Sequence, residues 1–150
     1  MEAAEKCVNK GFPLSFHIDP MIWHPEWKES YAFLIDEITR RFRPEDILMF
    51  SVGALRYQPQ QKNIMRERFG MDSLVTRAET FQSQDGKLRY DQKLREEMFQ
   101  FVRQRLKDHS PQWKIFMCME TPETWNNTFG HSPHREKPLK EYFQPIRHNT

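Results

Sequence analysis

The chain has 150 residues, of which 37% are hydrophobic, 13% aromatic and 29% charged, a balance that suits one soluble globular domain and excludes a disordered polyelectrolyte. Its formal net charge of +2 is too small to argue nucleic-acid binding by itself, and no apolar run approaches the ~20 residues of a membrane-spanning helix. Met1-Glu2-Ala3-Ala4-Glu5-Lys6 reads as an acidic helix rather than a signal segment, so a cytoplasmic location without membrane contact is expected.

Pro13 to Ile18 predicts a short buried strand, followed by a loop from Pro20 to Pro25. Trp27, Tyr31, Leu34, Ile35, Ile38 and Phe42 recur at three- and four-residue spacing, the mark of an amphipathic helix, which Pro44 stops. Ile47 to Val52 is a compact apolar run of strand length, and Pro59 opens a further helix that Gly70 closes after Phe69. Leu74 to Ala78 reads as a third, weaker strand and Gln82 to Gly86 as loop. From Tyr90 to about His109, the positions Leu94, Met98, Phe101, Val102 and Leu106 mark one helix face. Lys114 to Met119 is the last strand, and Thr121-Pro122 starts a helix that Gly130 ends.

Strands alternating with helices predict an α/β fold of parallel strand–helix repeats. Residues 1–130 form the domain, and 131–150, with three prolines and three histidines, read as a tail. In such folds ligands gather at the carboxyl ends of the strands, which places His17, Asp19, Ser51, Arg56, Glu120 and Glu79 near one rim. The alternative for each is structural: Asp19-Pro20 as a turn, Glu120 as a helix cap. Gly53-Ala54-Leu55-Arg56-Tyr57 and Asp85-Gly86-Lys87-Leu88-Arg89-Tyr90 both end in Arg-Tyr. An arginine beside an aromatic suits nucleic acid, pairing with phosphate while the ring stacks on a base; a surface ion pair beside a half-buried tyrosine is the competing reading. The sequence has no His-x-His pair and no His-Glu-x-x-His helix, so a metal-dependent hydrolase has little motif support and no metal ligands are assigned. Cys7 and Cys118 form neither a Cys-x-x-Cys pair nor a disulfide framework, and cannot by themselves cage zinc or an iron–sulfur cluster.

Gly11-Phe12-Pro13-Leu14-Ser15-Phe16-His17-Ile18-Asp19-Pro20, then Trp27-Lys28-Glu29-Ser30-Tyr31, Ser51 to Tyr57, Asp85 to Tyr90 with Leu94 to Met98, and Cys118-Met119-Glu120-Thr121 with Trp125 together resemble the carboxyl-terminal half of the spore photoproduct lyase family. The resemblance runs in order from about Met1 to Gly130. It implies part of a radical S-adenosylmethionine partial (β/α) barrel, and a complete protein that uses S-adenosylmethionine and a [4Fe-4S] cluster to repair a thymine photoproduct in DNA. The cluster's Cys-x-x-x-Cys-x-x-Cys motif and the family's hydrogen-donating cysteine have no counterpart here, so the chain is expected to be a truncated fragment, inactive alone, completed by an amino-terminal half.

Residue by residue, the resemblance puts His17 and Asp19 toward S-adenosylmethionine, although spore-forming members carry a small apolar residue where Asp19 stands, which leaves the substrate open. Arg56 matches an arginine after the next strand, and Gly86-Lys87 match a Gly-Lys near the DNA-facing loop; the aromatic and basic run before that loop is absent. Arg56, Lys87, Arg89 and Tyr90 are thus the expected nucleic-acid contacts. The second reading is a non-catalytic nucleic-acid or partner-binding module that uses the same four residues.

Overall fold

Ile47–Ala54 forms the central strand β2, with seven of its eight residues buried, as a continuous apolar run should when both faces of a parallel strand are covered. The computed structural model describes residues 1–132. An opening helix α1 (Glu2–Asn9) leads into β1 (Leu14–Met21), which pairs parallel to one side of β2; β6 (Ile115–Met117) pairs parallel to the other. The sheet order is therefore β1-β2-β6. Between these strands run α2 (Trp27–Arg41), α3 (Pro59–Phe69), α4 (Leu74–Arg77) and α5 (Gln92–His109), and α6 (Pro122–Phe129) follows β6.

Along β1 the alternation is clean. Ser15 and His17 are exposed while Ile18 is buried and Phe16 packs its ring 5.6 Å from Phe42 and 5.7 Å from Phe50. Period-two geometry therefore sends Phe16 and Ile18 into the core and Ser15, His17 and Asp19 to the opposite face. Phe50 continues the core onto Trp113 at 5.5 Å, and Trp27 of α2 meets Phe101 of α5 edge-on at 5.2 Å. Buried Ile35, Ile38, Met98, Val102 and Leu106 match the predicted stripes, and Phe99, outside them, is buried as well. None of the helices among the described residues is long and apolar enough to cross a membrane.

Three expectations change. Strand β1 continues through Pro20 to Met21, with a cis Asp19–Pro20 bond, where a loop was expected; as an edge strand it tolerates the missing proline N–H. The strand expected at Leu74–Ala78 is instead the helical turn α4: the Ser73 carbonyl accepts from the Thr76 and Arg77 N–H groups, and the Thr76 hydroxyl bonds the Ser73 side chain at 2.8 Å. This is the local side-chain chemistry by which Ser and Thr draw the backbone away from a ladder. Finally, a second, antiparallel sheet was not foreseen: β3 (Arg56–Tyr57), β5 (Leu88–Arg89) and β4 (Phe81–Gln82), in the order β3-β5-β4. The tail expected at 131–150 lies outside the described residues except for His131 and Ser132, of which Ser132 is buried and His131 sits 6.4 Å from the Trp125 ring.

Candidate functional site

Register fixes the site. Ile18, Val52 and Met117 are aligned across β1, β2 and β6, so Asp19, Gly53 and Cys118 form the next layer at the carboxyl ends of the three parallel strands. Two residues back on the same face, His17 is paired with Ser51. His17 is exposed and Ser51 buried.

Arg56 reaches into the upper layer from β3. Its Nη1 donates to Asp19 Oδ1 at 3.3 Å, and its Nη2 lies 3.8 Å from the Cys118 sulfur. Both partners of the ion pair are mostly enclosed, with side-chain exposures of 20% for Arg56 and 18% for Asp19. Cys118 hydrogen-bonds Asp19 as well, and burial, aided by that carboxylate, raises its pKa, so the thiol stays protonated. Gly53 makes the layer possible: a Cβ there would stand 2.7 Å from the Asp19 carboxyl carbon and 2.8 Å from each carboxyl oxygen. The Asp19 carboxylate occupies the space that any larger residue at 53 would fill.

The small sheet brings the second Arg-Tyr motif beside the first, since Arg56 pairs with Arg89 and Tyr57 with Leu88. A hollow of about 280 Å³ results, lined by Asp19, Pro20, Arg56, Tyr57, Gln58, Gln61 and Lys87. The structure therefore gathers Asp19, Arg56 and Lys87, with His17 on the same face one layer below. Arg89 and Tyr90 are placed otherwise. Tyr90 is 1% exposed and its hydroxyl accepts from the Trp23 N–H at 3.1 Å, while burial pushes its pKa up to about 12. Arg89 is 8% exposed; it donates to the Met119 carbonyl at 2.8 Å and the Ser83 hydroxyl at 3.1 Å, and pairs with Asp85.

Glu120 joins a different cluster. Its carboxylate, 2% exposed, takes a two-pronged bond from Arg95 on α5, Nε to Oε1 at 3.1 Å and Nη2 to Oε2 at 3.3 Å, with Arg89 Nη1 at 3.9 Å. Arg95 also donates to the Tyr90 carbonyl at 2.6 Å. This network floors a wider cleft of about 750 Å³ between the β4–β5 hairpin and the start of α6. Met119, the residue between the two clusters, has φ of 58°, a left-handed backbone that is uncommon for a non-glycine and is held here by the Arg89 bond to its carbonyl. Glu79 is exposed and lines neither the hollow nor the cleft. Sequence reasoning missed Gly53, Cys118 and Arg95 as site-building residues; the register of β2 and β6 is the signal that unites the first two.

The hairpin has its own lock. Gly86, at φ of 78°, allows the tight turn that L-residues resist, and Asp85 accepts from the Ser83 hydroxyl, from Arg89 and from the Lys87 N–H. Those bonds, the Ser83 one foremost, lower the Asp85 pKa to about 2. A carboxylate with a depressed folded-state pKa contributes stability that is present above its unfolded value near 4 and lost as pH falls through the folded value. Protection factors of the Ser83–Lys87 amides, taken against the intrinsic exchange rate at each pH, are accordingly expected to fall between about pH 4 and pH 2, and Asp85→Asn to abolish that fall; constant protection across this range in the parent chain would contradict the lock.

The residues also decide which groups they can hold. Cys7 is exposed on α1 and Cys118 directly follows β6; two thiols so placed do not supply the three thiolates of the implied cluster. Among the described residues, no three His, Cys, Asp or Glu side chains converge as metal ligands. The exposed His17, two residues before Asp19 on the same face of β1, does fit the hydroxyl and amino groups of a nucleoside cofactor in chemical type.

Comparison with known proteins bears on this arrangement. No curated protein matches the sequence significantly. Among solved structures, a spore photoproduct lyase complexed with a dinucleoside spore photoproduct superposes with a TM-score of 0.62 at 20% identity, over 77% of this chain and 36% of that one. A cysteine-to-alanine mutant of spore photoproduct lyase gives 0.64 at 21% identity over the same shares, 77% and 36%. A double mutant with bound AdoMet and the dinucleoside photoproduct gives 0.60 at 20%, over 76% and 36%. The chain thus spans about 36% of the length of these structures, and at such identity the likeness concerns the fold, an α/β unit with its parallel sheet. The family model described as spore photoproduct lyase matches residues 1–118, and the chain belongs to the spore photoproduct lyase family.

Proposed function

We propose that this chain forms one wall of a radical S-adenosylmethionine, spore photoproduct lyase-type DNA-repair protein, and that its strand ends face both cofactor and nucleic acid. The observation that carries the reading is the layer of Asp19, Gly53 and Cys118 at the ends of three parallel strands, with Arg56 bridging two of them. His17, exposed one layer below, takes the cofactor-facing place. Asp19 stands between the two sides, its carboxylate turned to Arg56. S-adenosylmethionine, when bound in such a protein, supplies the radical that abstracts hydrogen from the photoproduct; this chain's residues bind and orient. Arg56 and Lys87 face the nucleic acid, while Arg89 and Tyr90 hold the hairpin that carries Lys87. A related lyase binds AdoMet and a dinucleoside photoproduct, which supports transferring both ligands to this reading.

With its own cysteines limited to Cys7 and Cys118, the chain alone is expected to bind S-adenosylmethionine weakly and not to cleave it after anaerobic iron reconstitution. Calorimetry should show His17→Ala weakening that binding about fivefold, the value of one hydrogen bond of ~1 kcal/mol. Unchanged binding would remove His17 from the cofactor wall, and cleavage by the chain alone would refute the expectation that its two cysteines cannot support it.

A further inference from the structure

We infer that the hollow between β1, β3 and the β4–β5 hairpin is a clamp for a single phosphodiester of the nucleic-acid backbone, with Arg56 and Lys87 as its ligands and Asp19 as the residue that positions Arg56. The inference rests on the reading of Arg56 and Lys87 as nucleic-acid-facing, and specifies what that face recognises.

Size favours a small group. At about 280 Å³ the hollow is at the lower edge of the ~300–1,000 Å³ of pockets that enclose drug-sized ligands, and suits a small anionic group. Charge selects the anion. Two cations and one carboxylate line the hollow, leaving one net positive charge, the complement of a phosphodiester. Arg56 spends one nitrogen on Asp19 and a long contact on the Cys118 sulfur, so a fork of N–H donors remains for oxygen ligands. Gln61 is held at the rim by its Oε1, which accepts from the Gln58 N–H at 2.7 Å at the start of α3, and its amide nitrogen adds a neutral donor beside the two cations.

Geometry gives Asp19 its part. The carboxylate cannot be a primary ligand of an anion, yet it is the side chain that fixes the Arg56 guanidinium, and Gly53 holds the space it needs. An exposed arginine would lose rotamer freedom on binding phosphate; one already oriented by a carboxylate has lost it beforehand.

The test is fluorescence anisotropy of a labelled single-stranded oligothymidylate over a range of salt, with inorganic phosphate and S-adenosylhomocysteine as separate competitors. The Arg56→Gln/Lys87→Gln double variant should lower the salt slope by about 0.7, one phosphate contact on a single strand, and weaken binding about fivefold at about 0.1 M salt. A fall of about 1.4 would mean two separate phosphate contacts and overturn the single clamp; an unchanged slope would overturn the site altogether. Asp19→Ala should weaken binding although it removes a negative charge, and Asp19→Asn, which keeps an acceptor for Arg56, should restore it. Tighter binding by Asp19→Ala would overturn the positioning role. Displacement of the DNA by millimolar phosphate supports the clamp; displacement by S-adenosylhomocysteine alone would assign the hollow to the cofactor and overturn it. If S-adenosylmethionine fails to bind while the double variant lowers the slope, the cofactor reading falls and the clamp stands.

Discussion

Replacing Glu120 by alanine is expected to destabilise the fold by about 3 kcal/mol, the low end of the ~3–5 kcal/mol range for breaking a buried ion pair, because the adjoining cleft admits water. The loss follows from what remains. Arg95 is 9% exposed and Arg89 10% exposed at the side chain, and Arg95 would keep its bond to the Tyr90 carbonyl but lose its carboxylate. A melting-temperature drop of roughly 6–12 °C should accompany it for a chain of this size. Glu120→Gln, which retains an acceptor but not the charge, should fall between. A loss below about 1 kcal/mol in urea denaturation would show that the cluster is a solvated surface group and not part of the core.

Gly53→Ala is the second large effect. An added Cβ would stand 2.7 Å from the Asp19 carboxyl carbon, and a contact that short forces the carboxylate off Arg56 or pushes the strand ends apart, at a cost of about 1–3 kcal/mol for overpacking. The cause can be isolated. In an Asp19→Ala background the obstruction is gone, so Gly53→Ala should be nearly neutral there, with a coupling of about 1–2 kcal/mol between the two positions. Strict additivity would mean that the clash is relieved elsewhere and that Gly53 does not hold the layer together.

Much of the fold could be read from the chain because its main elements carry long, unambiguous patterns. The apolar run Ile47–Val52 can only be a covered strand, and the stripe from Trp27 to Phe42 has a single buried face. Thr121 and Pro122 announce α6 as read, and Thr121 Oγ1 accepts from the Thr124 N–H at 3.2 Å. What stayed hidden is short or non-local. Strands β3, β4 and β5 have two residues each, too few to show alternation, and α4 is decided by Ser73 and Thr76 side chains rather than by hydrophobic period.

The candidate site divides along the same line. The sequence puts His17, Asp19 and Arg56 near strand ends, where α/β folds collect ligands, and the structure brings Asp19 and Arg56 to 3.3 Å with His17 two residues back on the same face of β1. Glu120 sits at a strand end too, but its partner Arg95 lies 25 positions back in the sequence, and no local signal joins them. Cys118 reads as an apolar strand residue until β6 is registered against β2. Arg89 and Tyr90 show the limit of a motif: the Arg-Tyr pair after β2 leaves its arginine at the hollow, while the same pair after the hairpin is buried as a brace. Burial, which composition does not reveal, separates the two.

The central claim, that the ends of β1, β2 and β6 form the ligand-facing wall, is tested most directly by amide NMR of the chain during titration with S-adenosylmethionine. The account predicts shifts concentrated at Ser15–Asp19, Ser51–Gly53 and Cys118, reduced in His17→Ala. Shifts confined to the helix layer, or none at these positions at millimolar cofactor, would contradict it.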